Sequence, residues 1–187
     1  QIGIVVGGGN FWRGRSSGKM DRMDADKIGM LATVMNALAV KDALRQQGVD
    51  AVVMTSSFMP QVAECFTSDK AALESGKIVV FGGGTGNPIF STDTASALRA
   101  LEIGADAMFK ATMVDGVYDS DPHKNPNAKR YSTISFDQIL SEQLGVMDMT
   151  AASMCRDNNI PVLVFSLEDP DNIVRAVKQE DIGTLVK

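Results

Sequence analysis

Short apolar runs alternate with longer helical patterns along this chain, and that alternation constrains the fold more than any single motif. Residues 2–6, 51–54, 77–81, 105–109 and 161–165 are short, largely apolar runs, mostly rich in β-branched residues, and read as buried strands. Residues around 24–47, 68–75, 92–103, 135–144, 149–158 and 170–178 read as helices. Strands separated by helices need crossover connections, which favours an α/β fold: an open, mostly parallel sheet sandwiched by helices in three layers. No internal repeat, low-complexity tract or linker breaks the pattern, so residues 1–187 are expected to form a single domain. Residue 1 is Gln, and a strand follows at once, so an upstream segment with a further N-terminal strand is expected.

Composition narrows the function. Apolar residues make up 44% of the chain and charged residues 22%, as in an ordinary globular protein. The net charge of −5 argues against an extended nucleic-acid interface, which needs a basic face. A small phosphate ligand is still compatible, because backbone amides and a few Lys or Arg residues suffice to hold it. No apolar run reaches the roughly 18–20 residues that cross a bilayer, and no signal-like segment occurs. Cys65 and Cys155 lie far apart without metal-ligand spacing, so reduced packing thiols and a cytoplasmic location are expected. The helix around 24–47 contains GMLATVMNALAV, whose apolar residues extend beyond one stripe. It reads either as a central core helix or as one whose second face meets another subunit; a homo-oligomer is the preferred reading.

Three loops that follow strands carry the chemical signal. They are Val6-Gly-Gly-Gly-Asn10 continuing to Gly14, GGGTGNPIFSTDTA from Gly82 to Ala95, and Lys110 to Pro122. In an open parallel sheet, ligands collect at the carboxyl ends of strands, where all three loops are expected. Glycine lets amide N–H groups approach an anion, and a following helix adds its free N–H groups and dipole. Ser91, Thr92 or Thr94 is a candidate cap for that helix. Two familiar phosphate motifs fail. Gly14 to Met20 is one residue short between its glycines and lacks Ser or Thr after Lys19; Gly7-Gly8-Gly9 lacks the dinucleotide spacing and the acidic residue ending the next strand.

The segments GGGN followed by Arg13, RMDADKIGMLATVMNALA, GGGTGNPIFSTDTA, FKATMVDGVYDSDP and LGVMDMTA together resemble the bacterial UMP kinase (uridylate kinase) family, of the amino acid kinase fold. The likeness spans nearly the whole chain in the family's order. The run Thr85-Gly-Asn-Pro-Ile-Phe-Ser-Thr-Asp93 is the most discriminating part, since carboxylate kinases of the same fold differ there. The resemblance implies transfer of the γ-phosphoryl group of ATP to UMP, with Mg²⁺ arriving with ATP and no protein-built metal site. It places UMP at Gly8, Asp26, Thr85, Gly86, Asn87, Pro88, Ile89, Phe90, Ser91 and Thr92. It places the ATP phosphates near Gly9 and Arg13, and the ATP nucleoside at Thr112, Tyr118 and Asp121. It also implies a hexamer built from dimers and regulation by GTP or UTP. Two departures stand out. The family's upstream Lys-x-Ser-Gly loop is not in this chain, and the stretch 56–75, near the family's effector contacts, is slightly short.

The chemistry is coherent without the name. A phosphate monoester has a second pKa near 6, so its attacking oxygen is already ionised at neutral pH and no general base is required. His123 accordingly reads as a solvated loop residue. Arg13, Arg22 and Lys110 are the positive groups at hand, with Arg13 suited to bridging phosphate charge and Lys110, at a strand end, to the transition state. Asp93 either favours the helix dipole or orients catalytic lysines. Asp26 either caps its helix or accepts from ribose hydroxyls. Asn87 and Thr92 are candidate donors to the uracil edge or acceptor phosphate, and Asp148 reads equally as a supporting residue or a cap. The alternatives are a kinase of the same fold acting on a carboxylate or carbamate, and a catalytically silent nucleotide-binding module.

Overall fold

A computed structural model describes residues 1–14, 18–69, 74–122 and 124–187. His123 and residues 70–73 of the helix expected at 68–75 lie outside the described residues. The first half contains β1 (Ile2–Val5), α1 (Arg22–Gln46), β2 (Ala51–Thr55), β3 (Glu64–Cys65), β4 (Ile78–Gly82) and α2 (Thr92–Glu102). The second contains β5 (Met108–Thr112), β6 (Thr133–Ile134), α3 (Phe136–Glu142), α4 (Met149–Asp157), β7 (Val162–Ser166), α5 (Asp171–Val177) and β8 (Thr184–Val186). The described residues gather into two compact units, Gln1–Ile103 and Gly104–Lys187.

In the first unit the strand order is β1-β4-β2-β3 and every pairing is parallel. β4 lies between β1 and β2, which explains its unbroken apolar run: both faces are covered. Val80 packs with Ala37 and Val53 on the side of α1, whereas Val79 and Phe81 join Met54, with Ile103 from beyond α2 packed against them. This is the period-two division of a strand between two layers. Gly3 on β1 belongs to the second layer; a Cβ there would lie 2.9 Å from the Phe81 ring and 3.1 Å from Ile103 Cδ1. Asp21 caps α1, accepting from the N–H groups of Met23 and Asp24.

The second unit has its own four-stranded sheet, β5-β7-β8-β6, in which only β7 and β8 run antiparallel. Its core includes Phe165, Ala176 and Ile182, with Phe109 set edge-to-face on Phe165 at 6.2 Å. Thus the mostly parallel α/β expectation holds, but the strands divide between two sheets instead of extending one. The strand expected at 105–109 lies three residues later. Its pairing with β7, Met108↔Val162 through Thr112↔Ser166, sets the register. β5 is one of the two edge strands of this sheet, and Phe109 and Ala111 are exposed, so an apolar run did not mark its end. Lys110 is therefore the middle residue of β5 rather than its terminus.

Candidate active site

β1 and β4 are parallel neighbours with Val5 opposite Phe81, so residues 6–14 and 83–91 leave the same sheet edge side by side. The glycine run of the first loop lies flat on α1. A Cβ at Gly8 would be 2.7 Å from the Gly29 carbonyl and 2.9 Å from Ala32 Cβ, so only glycine permits this approach. Gly8 O accepts from the N–H groups of Phe11 and Trp12, turning the chain back. Arg13 folds over the same turn, its Nε donating to Gly9 O at 3.2 Å. The indole N–H of Trp12, the chain's single tryptophan, is buried with no acceptor among the described residues.

The second loop is held from beneath by Ser56, just past β2, and by Thr33 of α1. Gly83, at φ 81°, would place a Cβ 2.6 Å from Ser56 Oγ. Ser56 Oγ donates to Gly83 O at 2.7 Å, and Gly83 N donates to Thr33 Oγ1 at 2.8 Å in a buried bond. Thr85 Oγ1 accepts from Asn87 N and donates to Asn87 O, both at 3.2 Å, closing a turn that leaves the Asn87 side chain exposed. Pro88 and Phe90 follow on the outer part of the loop, and Gly86 N donates to Gly83 O. Ser91 is the cap of α2, accepting from Thr94 N at 3.1 Å. Thr92 opens the helix and faces the first loop, where a Cβ on Gly7 would lie 3.7 Å from its hydroxyl. Asp93 sits in the first turn of α2, where a carboxylate complements the helix dipole.

Asp26 ties these parts together. It does not cap α1, a position Asp21 fills; it lies one turn inside. Its Oδ2 accepts from Arg22 Nε at 2.7 Å and from Ile89 N at 2.9 Å. A Cβ on Gly14 would collide with its Oδ1. One carboxylate thus touches α1, the first loop and the second loop. Ile89 has φ 81°, a left-handed conformation unusual for a β-branched residue, and its N–H bond to Asp26 fixes it there.

Several supporting residues gave only a faint sequence signal. Asn36 donates through Nδ2 to Gly7 O at 2.6 Å and to Asn10 Oδ1 at 2.7 Å, and accepts from Asn10 Nδ2 at 3.1 Å. Thr33 and Asn36 are polar interruptions of an apolar helix, and that was their signal. Arg99 of α2 is 5% exposed, ion-paired with Glu102, stacked 4.4 Å over the Phe66 ring, and donates to Gly84 O at 3.4 Å. Burial pulls its pKa down, opposed by Glu102.

In the second unit, Lys110 is half-buried in β5 and Thr112 ends that strand, its carbonyl accepting from Leu167 N at 2.7 Å. Tyr118 donates its hydroxyl to Asp115 Oδ1 at 2.7 Å, which pushes the phenol pKa up. Asp121 O accepts from the N–H groups of Lys124 and Asn125, and its carboxylate pairs with Lys124 at 3.3 Å. A cavity of about 290 Å³ opens where β7 ends, lined by Asp115, Arg130, Ser166, Asn172, Arg175 and Asp181 among others. Asp148 caps α4, accepting from Ala151 N at 2.8 Å, the cap of its two readings. No group of three or more His, Cys, Asp or Glu among the described residues is arranged to hold a metal ion.

Known proteins match both the sequence and the fold. The amino acid kinase family model matches residues 1–166. The crystal structure of UMP kinase from Bacillus anthracis is 38% identical with a TM-score of 0.95, covering 100% of this chain and 79% of that one. UMP kinase from Ureaplasma parvum is 39% identical, TM-score 0.93, with 100% and 81% covered. Uridylate kinase from Archaeoglobus fulgidus is 29% identical, TM-score 0.79, with 100% and 85% covered. With two glycine loops braced side by side on one helix and a family match over most of its length, the chain belongs to the amino acid kinase family.

Proposed function

We propose that this protein transfers the γ-phosphoryl group of ATP to UMP, giving UDP and ADP, a step of pyrimidine nucleotide biosynthesis. One observation carries the reading: the loops at 6–14 and 83–91 leave one sheet edge, and Gly14 of the first and Ile89 of the second both lie against Asp26. The similarity to UMP kinases supports it.

UMP is assigned to Gly8, Asp26 and residues 85–92. Asn87 and Thr92 offer amide and hydroxyl donors to the base or phosphate, and Asp26 offers acceptors to the ribose. The UMP phosphate oxygen attacks the γ-phosphorus, a new P–O bond forms, and the bond to the β-bridging oxygen breaks to release ADP. The phosphate is ionised at neutral pH, so no side chain has to remove its proton. Arg13, on the Gly9 turn, is assigned to neutralising phosphate charge, Lys110 to charge on the transferring group, and Asp93, in the first turn of α2, to a supporting role in catalysis. Thr112, Tyr118 and Asp121 are assigned to the ATP nucleoside, and the cavity beside Asp115, the Tyr118 partner, is where its base or sugar would be sheltered. Mg²⁺, held by phosphates and water, would neutralise charge on the ATP phosphates. Assembly as a hexamer, GTP activation or UTP inhibition, and a cytoplasmic location complete the proposal.

The test is ADP release coupled to a chromogenic reaction, run with UMP, CMP, acetylglutamate and carbamate as acceptors. Turnover with UMP far above the others is expected. Turnover only with a carboxylate or carbamate would overturn the assignment.

A further inference from the structure

The two nucleotide loops do not touch α1 at random places. Thr33 and Asn36 are three residues apart and therefore share one helix face, about 4.5 Å apart along the axis. Thr33 takes the N–H of Gly83 from the second loop; Asn36 gives its amide to Gly7 O of the first loop and pairs with Asn10. Thr33 also donates to Met30 O at 2.6 Å, so its hydroxyl is locked in one orientation. Gly8 lies against the same turn, with room for no side chain between it and Gly29 O. Resting on the proposed UMP kinase activity, we infer that Thr33 and Asn36 are positioning residues for phosphoryl transfer, one turn of α1 fixing the distance between the first and second loops.

The physical ground is the sensitivity of in-line displacement to placement. A shift of about 1 Å in a reacting group costs up to about 100-fold in rate. Neither residue touches the nucleotides in this assignment; each holds backbone, Gly83 or Gly7, close in the chain to residues that do. Removing the Thr33 hydroxyl leaves the Gly83 N–H buried without its acceptor, so the second loop must move to find another. Replacing Asn36 frees the first loop at Gly7 while leaving the second in place.

The experiment uses the intact protein with Thr33→Val, Thr33→Ser, Asn36→Leu and the unsubstituted form. It measures kcat, KM for each nucleotide, UMP affinity by Trp12 fluorescence, and deuterium uptake in residues 6–14 and 82–91. Thr33→Val and Asn36→Leu are expected to lower kcat on the order of 10–100-fold per folded protein, with KM for ATP within about twofold. Thr33→Ser should restore kcat to within about threefold, since it keeps the acceptor. Deuterium uptake should rise at the loop each residue holds, and this readout does not depend on turnover. Unchanged uptake, or kcat within about threefold in both Thr33→Val and Asn36→Leu, overturns the inference. An unsubstituted protein that neither binds nor phosphorylates UMP overturns the functional reading instead, and the uptake result still decides whether these residues hold the loops. A fall in melting temperature with kcat per folded molecule unchanged shows a structural role only and also overturns the positioning role.

Discussion

At the scale of single residues, Asp26 concentrates the consequences. Its Oδ2 serves both Arg22 and the strained Ile89 N–H, so deleting the carboxylate removes a charge-assisted pair and a loop clamp together. Asp26→Ala should weaken UMP binding about 10–100-fold, the equivalent of a lost charged hydrogen bond of about 1.5–3 kcal/mol. ATP binding should change far less. Titration calorimetry with each nucleotide checks this, and equal losses would show that Asp26 does not belong to the acceptor site. Asp26→Asn keeps an acceptor for Ile89 but not the ion pair, so it should fall between. The cysteines give a second residue-scale prediction. Cys155 is 1% exposed and burial pushes its thiol up to about 11, from an ordinary value of 9.0, whereas Cys65 is exposed. A thiol reagent should therefore modify Cys65 in the folded protein and Cys155 only on unfolding. As pH rises from about 9 to about 11, the unfolded chain releases the Cys155 proton while the folded chain retains it, so stability must fall across that window. Denaturation midpoints against pH should show a loss that Cys155→Ala lacks; identical slopes would remove the thiol as its cause.

At the scale of elements, the acceptor loop trades backbone comfort for placement. Ile89 is 62% exposed, so its side chain contributes little packing, yet its φ of 81° costs about 1–2 kcal/mol that glycine would not incur. Ile89→Gly should leave the melting temperature unchanged or slightly higher while lowering kcat, because a looser loop no longer holds residues 85–92 in one arrangement. A large drop in melting temperature would mean that the strain is absent. The same loop shows what a sequence can and cannot disclose. β4 was legible because burial on both faces writes an unbroken apolar run, and a hydroxyl cap for α2 was legible only as Ser91, Thr92 or Thr94, among which the structure selects Ser91. β5 was misplaced because an edge strand keeps an exposed face, and Lys110 in its middle looked like an end. Three acidic residues, Asp21, Asp24 and Asp26, crowd the start of α1; only coordinates distinguish the cap from the residue that reaches across to Ile89. Thr33 and Asn36 were visible as letters but not as clamps, since an apolar helix tolerates polar residues for many reasons. β3, β6 and β8, two or three residues each, are too short to carry a period.

At the scale of the whole molecule, α1 has two working faces. One holds the loops through Thr33 and Asn36. Another exposes Ile28, Leu31 and Met35 in an i, i+3, i+7 stripe, with Leu31 51% and Met35 49% accessible. Leaving such a stripe in water forfeits hydrophobic stabilisation of roughly 25 cal/mol per Å², so covering it with a second subunit is favourable. This is the physical content of the proposed homo-oligomer. Leu31→Glu should then lower the mass seen by light scattering, because it places a charge in the buried centre of the contact. Since Leu31 lies between Gly29 and Thr33 on the same helix, loss of the partner should also loosen the loop supports and reduce kcat. Ala39→Ser, farther along the exposed side and chemically mild, should alter neither. If the unsubstituted protein runs as a monomer at micromolar concentration, the stripe has no such partner, and the apolar residues of α1 then need another explanation.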